Sequence, residues 1–185
     1  MKVVAILGSR NPQGQTARAC DALLGGAAEG GGEVERVFLT DVSLERCRQC
    51  DQRGWGVCRS DGRCVIEDDF AAVCEKLAAA DAAVFANPVY FSDLSESLRT
   101  FLDRYRRVTL HESAKGGIAG TPAIGVCVAG GGGGGAPAAT VRLEGYLAKC
   151  GFDVVDMIPV RRQNLEMKLP LLTATGKWLA TGPSS

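Results

Sequence analysis

Three short apolar runs, each stopped abruptly, constrain this chain more than anything else in it. VVAIL at residues 3–7 ends at Gly8, AAVFA at 82–86 ends at Asn87-Pro88, and PAIGVCVA at 122–129 ends at a tract of six glycines. Runs this short, with no polar position on either face, read as strands buried on both sides, and such strands belong inside a parallel sheet. Two further runs differ. EVERVFL at 33–39 and FDVVDMIPV at 152–160 carry charges, and Pro159 lacks a ladder donor, so both belong at sheet edges.

Between these runs apolar residues recur at helical spacing: Phe70, Val73, Cys74 and Leu77; Leu94, Leu98, Phe101, Leu102 and Tyr105; Ala139, Leu143, Tyr146, Leu147 and Cys150. Asp93 followed by Glu96 predicts a capping box, Pro137 suits a first helical turn, and Gly151 suits the position just past a helix end. Strand and helix therefore alternate, which predicts an α/β three-layer sandwich around a five-stranded parallel sheet in the order 2-1-3-4-5. With 185 residues, 46% of them hydrophobic, the chain fits one domain spanning 1–185, carrying a Cys-rich insertion at 44–66 and a tail at 161–185. Leu165, Leu169, Leu172 and Leu179 suggest a docked final helix in that tail, against which Pro170 and Gly176 argue.

The predicted strand order reverses direction between the first and third strands. The loops that follow them, 8–15 and 87–93, should splay into a crevice, the place where such sheets bind ligands. GSRNPQGQT at 8–16 leads into a helix beginning near Gly14, and free amides there, with the hydroxyls of Ser9 and Thr16, suit a phosphate. Neither GxxxxGK[ST] nor GxGxxG is present, so a monophosphate fits better than a nucleoside triphosphate or a dinucleotide; an ordinary polar turn is the competing reading. At the other loop, Asn87-Pro88 forces an extended turn that should leave the amides of Val89 to Phe91 free, with Tyr90 or Phe91 available to stack on a flat heterocycle. Core or subunit-contact roles for those rings compete with that reading. The tract from Gly130 to Gly135 follows the fourth strand, and a backbone without Cβ atoms can lie against a flat ring or serve as a flexible connector.

GSRNPQGQT, NPVYFSDLSESLRTFLDR at 87–104 and GRCVIEDDF at 62–70 together resemble the NADPH-dependent FMN reductase and iron-sulfur flavoprotein families of the flavodoxin-like superfamily, from residue 2 to about 160. The resemblance implies a flavodoxin-like fold with FMN in the crevice and NAD(P)H as co-substrate. Its phosphate would lie on the loop of Gly8, Ser9, Arg10, Gln15 and Thr16, with Ser9, Gln15 and Thr16 in contact. Its ring would lie on Asn87, Pro88, Val89, Tyr90 and Phe91 and on the glycine loop of Gly130, Gly131 and Gly132. The chain departs from the family pattern where Arg10 sits one position early, Pro12 intrudes, and Gly14 and Gln15 replace the usual small polar pair.

Four of the eight cysteines, Cys47, Cys50, Cys58 and Cys64, have the spacing C-x2-C-x7-C-x5-C. Four thiolates suit a 4Fe-4S cluster or tetrahedral zinc, and metal-free thiols or a labile disulfide remain open. Iron-sulfur flavoproteins are similar here, except that their third cysteine comes closer to the second, where this chain has Arg53. Arg46, Arg48, Arg53, Arg59 and Arg63 surround these thiols, and their charge would lower thiol pKa values, balance an anionic cluster or attract nucleotide phosphates; a solvated basic loop competes with each. Trp55, between two glycines, covers the flavin or a subunit interface on this reading. Cys20, Cys74, Cys127 and Cys150 sit singly in apolar patterns, as packed thiols do.

Lys+Arg and Asp+Glu are both 21, so no net charge draws the chain to nucleic acid or anionic lipid. MKVVAIL is shorter than a signal-peptide core or a membrane span, and the expected location is cytoplasmic. His111, the only histidine, carries no expected role, and no Ser/His/Asp set or carboxylate pair marks the crevice for hydrolysis. The leading expectation is an FMN-dependent oxidoreductase using NAD(P)H to reduce a small-molecule electron acceptor (a quinone, nitro compound or flavin). An iron-sulfur flavoprotein that transfers electrons, and a non-catalytic binding module with structural zinc, are the alternatives. The resemblance also implies a homodimer or homotetramer.

Overall fold

The computed structural model describes residues 1–110 and 118–182; His111 lies outside them. Five strands, β1 (Lys2–Leu7), β2 (Glu33–Phe38), β3 (Ala82–Pro88), β4 (Pro122–Ala129) and β5 (Asp153–Arg161), form one sheet in the order β2-β1-β3-β4-β5. All four pairings are parallel. The helices are α1 (Gln15–Glu29), α2 (Phe70–Ala78), α3 (Glu96–Thr109), α4 (Ala136–Cys150) and α5 (Leu165–Thr181).

The period of two along each central strand divides its apolar residues between two cores. Val4 and Ile6 of β1, and Ala83 and Phe85 of β3, face a core with Phe70, Leu77, Leu98, Phe101 and Leu143 from α2, α3 and α4. Val3, Ala5 and Leu7, with Val84 of β3 and Val126 of β4, face a second core with Leu23, Leu172 and Leu179 from α1 and α5. The charged strands lie at the edges, β2 and β5, as expected. Pro159 stands opposite Cys127 in the edge strand β5, so its missing amide interrupts no ladder between central strands. Pro137 lies in the first turn of α4, and Gly151, with φ of 102°, ends it.

One local expectation is corrected, and the docked final helix of the tail is present. The capping residue of α3 is Ser95, whose hydroxyl accepts from the Leu98 amide at 3.4 Å. Asp93 turns instead to the Leu94 amide and pairs with Arg99 and Arg142, because the chain makes one more turn before the helix starts. In the tail, α5 runs unbroken through Pro170 and Gly176. Gly176 is no breaker here. A Cβ on it would come within 1.8 Å of the Leu23 carbonyl oxygen of α1, and one on Gly26 within 1.9 Å of the Thr173 carbonyl. The two helices approach backbone to backbone, and only glycine permits that contact.

Gly176→Ala is therefore expected to destabilise the domain by about 1–3 kcal/mol through overpacking. For a chain of this size that is a fall in melting temperature of roughly 2–4 °C per kcal/mol, measured by thermal denaturation. Gly25→Ala, at a position with nothing within 4 Å of the added carbon, should show no such loss.

Candidate functional site: a switch-point cleft and a four-thiol cavity

The loops after β1 and β3 meet. The Gly8 amide donates to the Ala86 carbonyl at 2.9 Å, and the Ser97 hydroxyl donates to the Gly8 carbonyl at 3.1 Å. Beneath them the buried Asn87 accepts the Ser95 amide at 2.9 Å through its side-chain oxygen. Gly8 is obligatory, because a Cβ there would lie 2.3 Å from Ser95 Oγ.

Above this junction opens a cleft of about 460 Å³, within the size range of small-molecule sites. Ser9, Gln15, Thr16, Pro88, Val89, Tyr90, Phe91, Gly130 and Gly131 line it, together with Val128, Ala129 and Gly134. Of the other residues proposed from sequence, Gly8 and Asn87 are buried outside the lining, and Arg10 is exposed to solvent and also outside it. Gly132 points its carbonyl outward to Gln163 Nε2 at 2.9 Å. Val128, Ala129 and Gly134 were not foreseen from sequence: the first two look like any strand residue, and nothing in a run of six glycines marks Gly134 as one that lines the cleft with Gly130 and Gly131.

The two ends of the cleft differ chemically. At one, α1 begins at Gly14 with no side-chain cap, so among the described residues its first amides have no partner. Ser9 and Thr16 are buried there, and among the described residues the buried side-chain oxygen of Gln15 has no partner either. At the other, Pro88, Val89 and Tyr90 face the glycine loop. The amides of Val89 and Tyr90 are not free, contrary to expectation: Val89 bonds to Val128 at 2.9 Å and Tyr90 to Asp93 at 3.2 Å, because the turn folds back on β4 and on itself. Phe91 and Ser92 have φ of 50° and 63°, a left-handed region costing about 1–2 kcal/mol per residue outside glycine. Among the described residues Tyr90 is the only titratable side chain lining the cleft.

A second cavity lies beside α3. Although the connection from β2 to α2 contains no helix or strand, Cys47, Cys50, Cys58 and Cys64 all line this one cavity, with Arg48, Arg63, Arg104 and Arg107. Its volume is about 20 Å³, room for one water. Among the described residues no three His, Cys, Asp or Glu side chains are already arranged around a metal position. The chemistry of the donor set suits a thiolate-bound metal or cluster, since four thiols and no carboxylate line the same space, and holding one would require the thiols to draw together around it. Asp51 shapes the turn by accepting the Arg53 and Trp55 amides at 2.8 Å. Trp55 lies between Arg59 and Arg107, 5.6 and 4.8 Å from its ring centroid, and it lines the thiol cavity, not the cleft. The isolated thiols are packed and neutral: burial pushes Cys20 and Cys150 up to about 12 and Cys127 up to about 11.

The insertion is moored by one buried ion pair. Arg104 and Asp68 are 1% and 3% exposed, joined at 2.5 and 2.9 Å. Arg104 also donates to the Glu45 carbonyl at 3.0 Å and to Cys64 Sγ at 3.4 Å, and its guanidinium sits 4.1 Å from the Phe70 ring centroid. Burial works to raise the Asp68 pKa, but Arg104 and the amides of Glu45 and Phe70 outweigh it and hold the carboxyl below its ordinary value.

A parallel sheet of this order, with a ligand-sized cleft at its switch point, defines the flavodoxin-like class. The chain belongs to the NADPH-dependent FMN reductase family, whose model matches residues 1–164. It is 33% identical over 131 residues to an iron-sulfur flavoprotein of Methanocaldococcus jannaschii, a match covering 71% of this chain and 65% of that protein. An iron-sulfur flavoprotein of Methanosarcina thermophila is 34% identical over 104 residues, 56% of this chain and 52% of that one. The chain thus spans less than two thirds of these relatives. In fold it is similar to an NAD(P)H:quinone oxidoreductase from Methanothermobacter marburgensis, with a TM-score of 0.70 at 20% identity over 100% of this chain and 98% of the other.

Asp68→Asn should leave Arg104 buried without a counter-charge and cost about 3–5 kcal/mol in urea denaturation. The wild-type pair contributes stability above the unfolded carboxyl pKa of ~3.9, and that contribution is lost as pH falls through the lower folded value. The acid limb of the stability profile should accordingly flatten in the variant.

Proposed function

We propose that this protein is an FMN-dependent oxidoreductase that draws electrons from NAD(P)H and delivers them to a small-molecule acceptor such as a quinone, a nitro compound or a flavin. One observation carries the reading: a polar corner with uncommitted helix amides and a slot between an aromatic turn and a glycine loop share one cleft at the sheet's switch point. FMN, when bound, supplies the electron-accepting ring chemistry. The protein's part is to hold and orient. Ser9, Gln15, Thr16 and the first amides of α1 would take the phosphate end, the unpartnered Gln15 oxygen accepting from a hydroxyl of the flavin's side chain. Pro88, Val89, Tyr90, Gly130 and Gly131 would line the ring. Phe91, wholly exposed on its left-handed turn, stands at the rim where a planar acceptor would enter. Among the described residues no acid or base other than Tyr90 lines the cleft, so its side chains suit binding more than acid–base catalysis.

A second reading is favoured by the thiol cavity. Four cysteines and four arginines around one space suit an anionic thiolate-bound group, and an iron-sulfur cluster there would make the chain an electron-transfer protein that also binds FMN. The names of the curated relatives support it.

The apoprotein should take up one equivalent of FMN, read as quenching of flavin fluorescence, and the complex should oxidise NADPH or NADH when an acceptor is supplied. Thr16→Val removes a hydroxyl facing the phosphate end and should weaken FMN binding roughly 10- to 100-fold, the worth of a hydrogen bond to a charged group. Failure of the wild-type chain to bind FMN would refute both readings of the cleft.

A further inference from the structure

The thiol cavity has four arginines on its wall, but only one of them is built into the protein. Arg48 and Arg63 are 56% and 69% exposed and pair with Glu45 and Asp61 of the same loop, so solvent screens them. Arg107 spends its donor on the Gly54 carbonyl at 2.6 Å and its face on Trp55. Arg104 alone is buried and donates to a thiol, with Nη2 3.4 Å from Cys64 Sγ. Its other contacts explain why an arginine is required. Asp68 takes one N–H from each terminal nitrogen, the Glu45 carbonyl takes another from Nη1, and the remaining Nη2 donor is left aimed at sulfur. A lysine ammonium, a point donor, cannot span that fork.

We infer that Arg104 is a positioning residue for the group the four thiols hold: it fixes the Cys64 sulfur toward the cavity and lowers the energy of the more negative, reduced state of that group. The inference rests on the second reading above, a thiolate-bound iron-sulfur cluster. The physical reason is that a hydrogen bond to a ligating sulfur and a buried positive charge beside it both favour added negative charge, and so raise the reduction potential. Because Arg104 is clamped by Asp68 and stacked on Phe70, the charge cannot swing away to solvent as those of Arg48 and Arg63 can.

The test uses the full-length chain with FMN bound, reconstituted without oxygen with ferrous iron and sulfide. Iron per chain, visible absorbance and the potential of the iron chromophore are read for three proteins: wild type, Arg104→Lys, and the double variant Arg104→Met with Asp68→Asn, which removes the buried pair without stranding either charge. Flavin content and a cooperative melt report the fold. Expected is iron uptake by wild type, a more negative potential in Arg104→Lys, and a larger negative shift in the double variant with FMN retained. Loss of iron from both variants with FMN retained would also support the inference if, in Arg104→Lys, where the positive charge stays, peptide-mapped alkylation shows Cys64, relative to Cys50, more reactive than in metal-free wild type; unchanged Cys64 reactivity in that variant would overturn it. Should the double variant fail to fold, Arg104→Lys alone decides. Iron loading and potential equal to wild type in Arg104→Lys overturn the role of Arg104 while leaving the cluster reading intact. Wild-type protein that holds FMN but takes up no iron overturns the cluster reading, and this inference with it, without touching the flavin cleft.

Discussion

The junction between Gly8 and the start of α3 is the constraint on which both sites depend. Two strands that run parallel in a twisted sheet would carry their following loops apart, one to each face. Here the backbone of Gly8 is bonded to Ala86 on one side and to Ser97 on the other, with no room for even a methyl group between. The cleft is the space left above that closure. Asn87 completes it by accepting the Ser95 amide, which fixes the first turn of α3 against the Gly8 junction.

From that anchored end, α3 carries the geometry across to the thiol cavity. Ser95 and Ser97 fasten its start to the cleft, and Arg104 and Arg107, two to three turns later, fasten the cysteine loop to its side. At about 1.5 Å per residue, Ser97 and Arg104 are roughly 10 Å apart along the axis. A connection of this length without helix or strand would ordinarily be free to wander. Carboxylates and guanidinium groups hold it, since Asp68 and Asp69 accept the amides of Glu45 and Ser43 and Arg104 closes the same knot. The aromatic stack of Phe70, Phe101 and Tyr105 lies beneath as a stiff support.

Much of this was readable in the residues. Buried strands announce themselves by apolar runs without polar breaks, and edge strands by their charges, so the sheet order and the position of the crevice follow from the sequence. The loops that line the cleft were readable for the same reason: in an open parallel sheet they must follow the first and third strands. What misled was local chemistry with two possible partners. Asp93 has the spacing of a cap and serves as an ion-pair hub. The amides of Val89 and Tyr90 follow an extended turn, yet they bond to Val128 and Asp93. Gly176 has the look of a helix breaker and is the contact that lets α5 lie on α1.

The sequence by itself determined the alternation of strand and helix, the order of the sheet and the loops at its switch point, because periodicity and burial are properties of neighbouring residues. The tertiary structure alone decided which groups from distant segments share a space: Cys58 with Cys47, Cys50 and Cys64, Trp55 with Arg107, and Arg104 with Asp68 and Cys64. Those meetings depend on where a long loop comes to rest against a helix that begins some thirty residues after the last of the four cysteines. No local pattern encodes that distance; packing and a single buried ion pair do.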